Sequence, residues 1–492
     1  MSNQKYIAKA LSISAFAMLI LSTPACKKSF LDVPPQALEK SEEFFVTQED
    51  ATRAVSSIYA NLREWKQTAF APIAIESVGS DDAEKGSSAT DATFFNAYDN
   101  FTVSSSEGQL NDFWLGQYQS INLCNQVIDK IPAIEMDASL KSRYIAEAKF
   151  VRAYNYFRLV RAYGDVVLRL HLPKDASEYN LPRSPKAEVY AAIEQDLTDA
   201  AAVLPPTYPA SDIGRATKGA ALALHAKVAM YQKKWADVLN YTNQVMGMGY
   251  TLFPSFEGQF RIPNENNSES IFEIQAETLS GIPGASNSQY SQVQGVRAQS
   301  GGGWGFNVPT EELADAFEPG DPRRDATIIF RGETTPQGDP VAATGDNPRY
   351  NQKSYVPFST PFVQNEGEAQ NVRVIRYAEV LLMNAEAANE LGNTAQALSS
   401  LELVRARARG GNSAILPEVT TTDQGQLRLA IWHERHVELA MEFDRYFDVI
   451  RQGRAAEIFG PKGWKPNKNE VWPIPQNEID LSAGVLTQNP GY

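Results

Sequence analysis

Residues 377–454 restrict the fold more than any other stretch. Leu381, Leu382, Ala385, Ala388 and Leu391 fall on one face of a helix. Gly392-Asn393 breaks that pattern, and Ala395, Leu398, Leu401 and Val404 resume it to about residue 409, which predicts two antiparallel helices. The small side chains of Ala385, Ala387 and Ala388 let a partner helix approach closely. A second segment, 426–451, repeats Leu429, Trp432, His436, Ala440, Phe443, Phe447 and Ile450 three or four residues apart. Its other face carries Glu434, Arg435, Glu438, Glu442, Asp444, Arg445, Asp448 and Arg451. The spacing predicts one amphipathic helix whose charges form ion pairs that fix neighbouring helices.

The helical period recurs upstream, at 49–66, 110–131, 140–163, 189–203, 216–230 and 235–246. Grouped as 49–131 (interrupted by a loop), 140–203, 216–246 and 376–408, these segments make helix pairs. The pair at 216–246, with small residues first and an aromatic at the turn, looks like a tetratricopeptide-type unit. One such pair cannot bury its own apolar face, so several predict a stack. The expected fold class is mainly α: stacked tetratricopeptide-like helix pairs in an α-α superhelix, with long irregular loops and minor β. His225, among small apolar residues, reads as a core histidine. Gly164 is a natural helix C-cap.

Two stretches lack the period. Residues 67–108 are rich in Ser, Asp, Gly and aromatics, and an aperiodic stretch of that length is commonly functional. Residues 250–355 are rich in Gly, Pro, Ser and Asn, with strand-like runs at 270–275 and 327–330 and a short helix at 309–317. Gly301, Gly302, Gly303 and Gly305 surround Trp304 and permit positive φ and close backbone approach.

The net charge of −14 disfavours nucleic acid and anionic lipid as electrostatic partners. Lys5 and Lys9 precede an apolar run at 10–21 that is too short to span a bilayer. Thr23-Pro24-Ala25-Cys26 then resembles a bacterial lipoprotein signal, with lipid added at Cys26. Residues 1–25 read as that signal, 26–48 as a tether stiffened by Pro34-Pro35, and 49–492 as one body with parts at 49–250 and 251–492. Losing Lys5 and Lys9 would take the charge from −14 to −16. Cys124 is then left without a disulfide partner and reads as a buried, inert thiol. No stretch shows a nucleophile elbow, a metal-ligand cluster or a phosphate loop, and four histidines leave little room for a histidine metal centre. No enzyme activity, cofactor or metal is expected.

Several separated blocks carry a family resemblance. They are "AEAKFVRAYNYFRLVRAYGDVVL", "SGGGWGFNVPTEELADAFEPGDPRRD", "RYAEVLLMNAEAANELGN", "AIWHERHVELAMEFDRYFDVIRQG" and the closing "VWPIPQNEIDLSAGVLTQNPGY". In this order they resemble the SusD/RagB family. The chain departs from the family pattern at His436, usually Arg, and at Phe443, usually Gly. The resemblance implies an outer-membrane lipoprotein, anchored through Cys26 and facing outward. It would bind oligosaccharides such as starch-like glycans for a SusC-like TonB-dependent transporter. A same-fold peptide-binding subunit is the alternative, and a glycoside hydrolase, which needs two carboxylates astride the bond, a remote third.

A sugar presents an apolar C–H face edged with hydroxyls, which flat aromatics beside Asp, Asn and Ser complement. The resemblance places the binding surface on residues 67–108 and 280–308, the two longest aperiodic stretches that contain aromatics. The expected platform is Phe95 or Tyr98 with Tyr290 or Trp304, edged by Asp81, Asp82 and Asn96, with Phe94 and Asp99 as further candidates. The same pattern fits Phe94, Phe95 and Phe101 plugging a core beneath the loop, and Trp304 as a buried wedge. Arg152 and Arg161 are expected to pair with Glu147 or loop acids.

Overall fold

The computed structural model describes residues 44–279, 286–297, 302–361 and 366–492. The chain divides into two units, Met1–Val46 and Thr47–Tyr492, and the helix pairs belong to the second. Cys26 and the signal at 1–25 lie outside the described residues.

Helix α1 (Gln48–Leu62) begins where Thr47 and Asp50 cap each other. The Asp50 N–H donates to Thr47 Oγ1 at 3.2 Å and the Thr47 N–H to Asp50 Oδ2 at 2.8 Å. There follow α2 (Gly108–Lys130), α3 (Ala138–Tyr163), α4 (Lys186–Val203), α5 (Lys218–Tyr231), α6 (Trp235–Met246), α7 (Tyr377–Glu390) and α8 (Thr394–Arg409). Each packs on the one before it. The pairs expected at 49–131, 140–203, 216–246 and 376–408 are therefore present and stacked in chain order. Helices α5 and α7 are buried on nearly every side, which their alanines allow. His225 on α5 is a core residue: its ring stacks on Tyr241 at 4.1 Å, and burial pushes its pKa down to about 4.

Among the described residues, six short strands, β1 (Ala83–Gly86), β2 (Ser270–Ile274), β3 (Phe306–Pro309), β4 (Ile328–Phe330), β5 (Arg349–Asn351) and β6 (Val372–Arg376), make three antiparallel pairs. In β1–β3, Ala83 lies opposite Pro309 and Gly86 opposite Phe306; β2 pairs with β6 and β4 with β5. The periodicity had shown β2 and β4 only.

The segment 426–451 is not one helix. Helix α9 (Gln424–Leu439), packed on α7, is separated from α10 (Arg445–Arg451) by a turn in which Met441 (φ +65°) and Phe443 (φ +68°) are left-handed. Tertiary anchors set this break: the Met441 N–H donates to Asp82 Oδ2 at 3.3 Å, and Asp444 takes Lys227 and Arg161 at 2.5 and 2.9 Å. The expected apolar face also fails, since Leu429 is 56% exposed whereas Glu434 and Glu438 are 0% exposed.

The charges of that face are buried and paired instead. Glu438 accepts from Arg323 Nη1 at 3.1 Å, Arg376 Nη1 at 3.0 Å and Arg407 Nη2 at 2.5 Å. Burial raises a carboxyl, yet these cations hold Glu438 at about 2. Arg435 reaches Asp448 at 2.7 Å and Glu379 of α7 at 2.9 Å. Arg158 is bidentate to Glu76 at 3.1 and 2.8 Å. Arg161 meets Asp444 and, at 3.5 Å, the loop acid Glu76, as expected of it; Arg152 pairs with Asp196 of α4, twice at 2.8 Å, rather than with Glu147. Glu147 is taken by Arg215 at 3.0 Å. Near this network Trp472 is fully buried, and its indole N–H donates to the Ile75 carbonyl at 3.0 Å.

Candidate aromatic site

The two aperiodic stretches meet along β1–β3. The Ser87 N–H donates to the Gly305 carbonyl at 2.6 Å, and Arg297 Nη1 pairs with Asp91 at 2.6 Å. Trp304 stands between two glycines no other residue could replace without movement. A Cβ at Gly303 would lie 2.3 Å from the Gly295 backbone. Gly305, at φ +73°, would put one 2.6 Å from Asn347 Nδ2. The Trp304 N–H donates to the Gln292 carbonyl at 2.9 Å, which fixes the ring's base.

Four half-buried rings gather there: Trp65, Phe70, Phe94 and Trp304. Trp304 lies 6.0 Å from Trp65 and 6.0 Å from Phe70, Trp65 lies 5.0 Å from Phe70, and Phe94 lies 6.0 Å from Phe70. Behind them the buried rings of Phe95 and Phe306 contact Phe70 at 5.3 and 4.9 Å. The planes are tilted 48–74° to one another in the contacts that Trp65 and Trp304 make, so the surface is stepped rather than flat. Asp91 lies at its polar edge, its carboxyl lowered by hydrogen bonds from Ser87 and Ser88.

Of the residues expected to form a platform, Trp304 lies in this cluster. Phe95 and Tyr98 are corrected: both are 0% exposed, Phe95 behind the cluster and Tyr98 edge-on to Trp472 at 5.5 Å, so neither offers a face to a ligand. Tyr290 is 7% exposed and packs on Phe443 at 6.1 Å. The acids are engaged within the protein. Asp81 takes Arg445 at 2.7 and 2.6 Å, Asp82 meets His436 Nε2 at 2.6 Å, and Asp99 meets Lys462 at 2.7 Å. Asp81, Asp82 and His436 bring ligand atoms within 4.8 Å of one another, a spacing that suits a cation. Arg445 already supplies the positive charge: burial would raise Asp81, and Arg445 holds it at about 2. Asn96 is exposed on the short helix Phe95–Asp99. Phe101 is a core plug, stacked on Trp472 at 6.1 Å and 7°.

Trp65 and Phe70 were missed. Trp65 looked like the end of the first helix, but that helix stops at Leu62 and the chain turns through Trp65–Thr68 and Phe70–Pro72. Two large aromatics five residues apart, where the period fails, were the available signal.

The molecule is thus a helical-repeat protein whose two long loops gather an aromatic surface. The model of the "SusD family" matches residues 268–492, and one described as "Starch-binding associating with outer membrane" matches 29–230. The chain is 28% identical to the SusD-like protein P2 of Formosa agariphila, covering 97% of this chain and 99% of that one. A solved "laminarin binding SusD-like protein" superposes with a TM-score of 0.80 at 30% identity, over 91% of this chain and 100% of the other. Surface glycan-binding protein A from Bacteroides fluxus gives a TM-score of 0.75 at 26% identity, over 91% and 100%. The chain belongs to the SusD/RagB family.

Proposed function

We propose that this protein is a non-catalytic lipoprotein, anchored at the outer membrane through Cys26 and facing outward. It binds oligosaccharides and delivers them to a SusC-like TonB-dependent transporter. The observation that carries the reading is the stepped cluster of Trp65, Phe70, Phe94 and Trp304, half-buried where two long loops meet. A half-buried ring is rigid and keeps an apolar face for a sugar's C–H surface; Asp91 and Arg297 supply partners for hydroxyls. A laminarin-binding relative at 30% identity and a family description naming starch and the outer membrane support glycan as the ligand and that membrane as the place.

The test is calorimetric titration of residues 27–492 with laminari-oligosaccharides, malto-oligosaccharides and peptides, repeated with Trp304→Ala and Trp65→Ala. Truncating an aromatic anchor costs about 2 kcal/mol, roughly 30-fold in affinity. Binding of peptide alone, or unchanged glycan affinity in both folded variants, overturns the reading.

A further inference from the structure

Phe443 stands in the turn between α9 and α10 in the left-handed region, at φ +68°. There an L side chain crowds its own backbone, and bulky residues seldom adopt the conformation. Met441 shares it at φ +65°, and its contacts account for that: its N–H donates to Asp82 Oδ2, and its side chain belongs to a core cluster with Leu313 and Val437. Phe443 is only half-buried, so core burial does not account for it in the same way. Strain retained at one residue points to a task for its side chain.

The Phe443 ring lies 6.1 Å from that of Tyr290, at 53°, the one ring contact that Tyr290 makes among the described residues. Both rings line a cleft of about 60 Å³ whose wall also includes Gln67, Thr68 and Pro72. These three belong to the short turns Trp65–Thr68 and Phe70–Pro72, which carry Trp65 and Phe70. The charged side chains of the wall are paired within the protein, so none calls for a ligand there. The cleft is a joint where the segment of Trp65 and Phe70 meets the segment of Tyr290.

Tyr290 opens the short helix Tyr290–Gln294. Within it the Gln292 carbonyl accepts the Trp304 N–H at 2.9 Å. The far end is tied down, since Gln294 Oε1 accepts from Asn307 and Asn351 at 2.8 and 2.9 Å, and Gln294 Nε2 donates back to the Tyr290 carbonyl at 2.9 Å. A Tyr290 ring that sank into the space of a missing Phe443 would tilt this helix about its tied end. The Gln292 carbonyl, and Trp304 with it, would follow.

We propose that Phe443 is a positioning residue of the aromatic surface. Its ring props Tyr290 and thereby sets Trp304 against Trp65 and Phe70. The positioning is a property of the unliganded protein; its effect on affinity rests on the glycan-binding reading above.

Fluorine NMR of the mature chain labelled with fluorotryptophan tests this, with seven signals for seven tryptophans. Trp304→Phe and Trp65→Phe assign two of them. Phe443→Gly suits the left-handed backbone and removes the ring. It should shift or broaden the Trp304 signal and leave that of Trp235, at the start of α6, in place. Calorimetry with laminari-oligosaccharides as the probe should show binding weakened about 3- to 30-fold, and Phe443→Tyr, which keeps the ring, should restore both signal and affinity. Phe443→Leu gives the same readout should the glycine variant not fold. An unmoved Trp304 signal in the folded variant overturns the proposal. Shifts in all seven signals with a fallen Tm overturn it too, because they mark a general loss of packing. A Trp304 signal that moves while glycan affinity stays unchanged upholds the positioning and refutes the glycan-binding reading of the surface.

Discussion

Glu438→Gln keeps the size of the side chain and removes its charge, which makes it the sharpest probe of the buried network. The carboxylate is 0% exposed and accepts from three guanidinium groups at 3.1, 3.0 and 2.5 Å. In the variant an amide NH₂ would face one of them, and Arg323, itself 0% exposed, would keep only Asp321 and Glu434. Breaking a buried pair from one side costs about 3–5 kcal/mol. Titration leads to a similar figure. A carboxyl held at about 2 in place of its ordinary 4.5 stabilises the fold by about 3 kcal/mol at neutral pH. That contribution is present above pH 4.5 and is lost as pH falls from 4.5 towards 2, because the depressed group must then take up its proton. The assay is urea unfolding at pH 7 and pH 3, with the exposed pair Arg454–Glu457 as control through Glu457→Gln, where a surface pair contributes about 0–1 kcal/mol. The variant should lose 3 kcal/mol or more at pH 7, and its deficit should shrink at pH 3. A loss below about 1 kcal/mol at pH 7, no larger than the control's, would refute the reasoning.

Phe95→Ala should destabilise the protein by about 3–5 kcal/mol, as a fully buried ring does. It should leave glycan affinity per folded molecule within a few-fold, whereas Trp304→Ala should do the reverse; comparing Tm with calorimetric affinity separates the two. Glu368 is buried with Oε2 unpartnered, and burial raises its carboxyl to about 8. Its penalty therefore grows as pH rises from 4.5 to 8, so Glu368→Gln should raise stability by about 3 kcal/mol at pH 7 and by nothing at pH 4, measured by urea midpoints. Cys26→Ala should release the protein from the membrane fraction into the soluble fraction on cell fractionation; a variant that remains with the membrane argues against the lipid anchor.

The helix pairs were legible because a 3.6-residue period needs only local information, and α5 and α6 emerge nearly where expected. The break at Ala440–Asp444 was not legible. It depends on Asp82, Lys227 and Arg161, more than 200 residues away in the chain, and on two non-glycine residues in left-handed conformations. Nor did the charged face of α9 declare its burial, since a run of Glu and Arg has the same spacing whether solvent or ionic partners cover it. At the site, the glycines around Trp304 pointed to a ring held by close backbone approach. Nothing local distinguishes Phe94, half-buried, from Phe95 beside it, because one step at the start of a short helix turns a ring from the surface into the core. Trp65 and Phe70 needed the true end of α1, which propensity placed several residues late.

The buried charges also bear on how such a chain is made. Arg161 lies in the last turn of α3 and Lys227 within α5, and their shared partner Asp444 is made 283 and 217 residues after them. Until it arrives, the early helices would have to bury two cations without it, an expense of several kcal/mol per ion that their apolar surfaces do not readily offset. Trp472 adds a second lock, reaching back 397 residues to Ile75. The first half of the protein is therefore expected to gain part of its stability late, through contacts of great sequence separation that form slowly. A polypeptide with this delay can be threaded through a narrow secretion pore before its own structure closes the way.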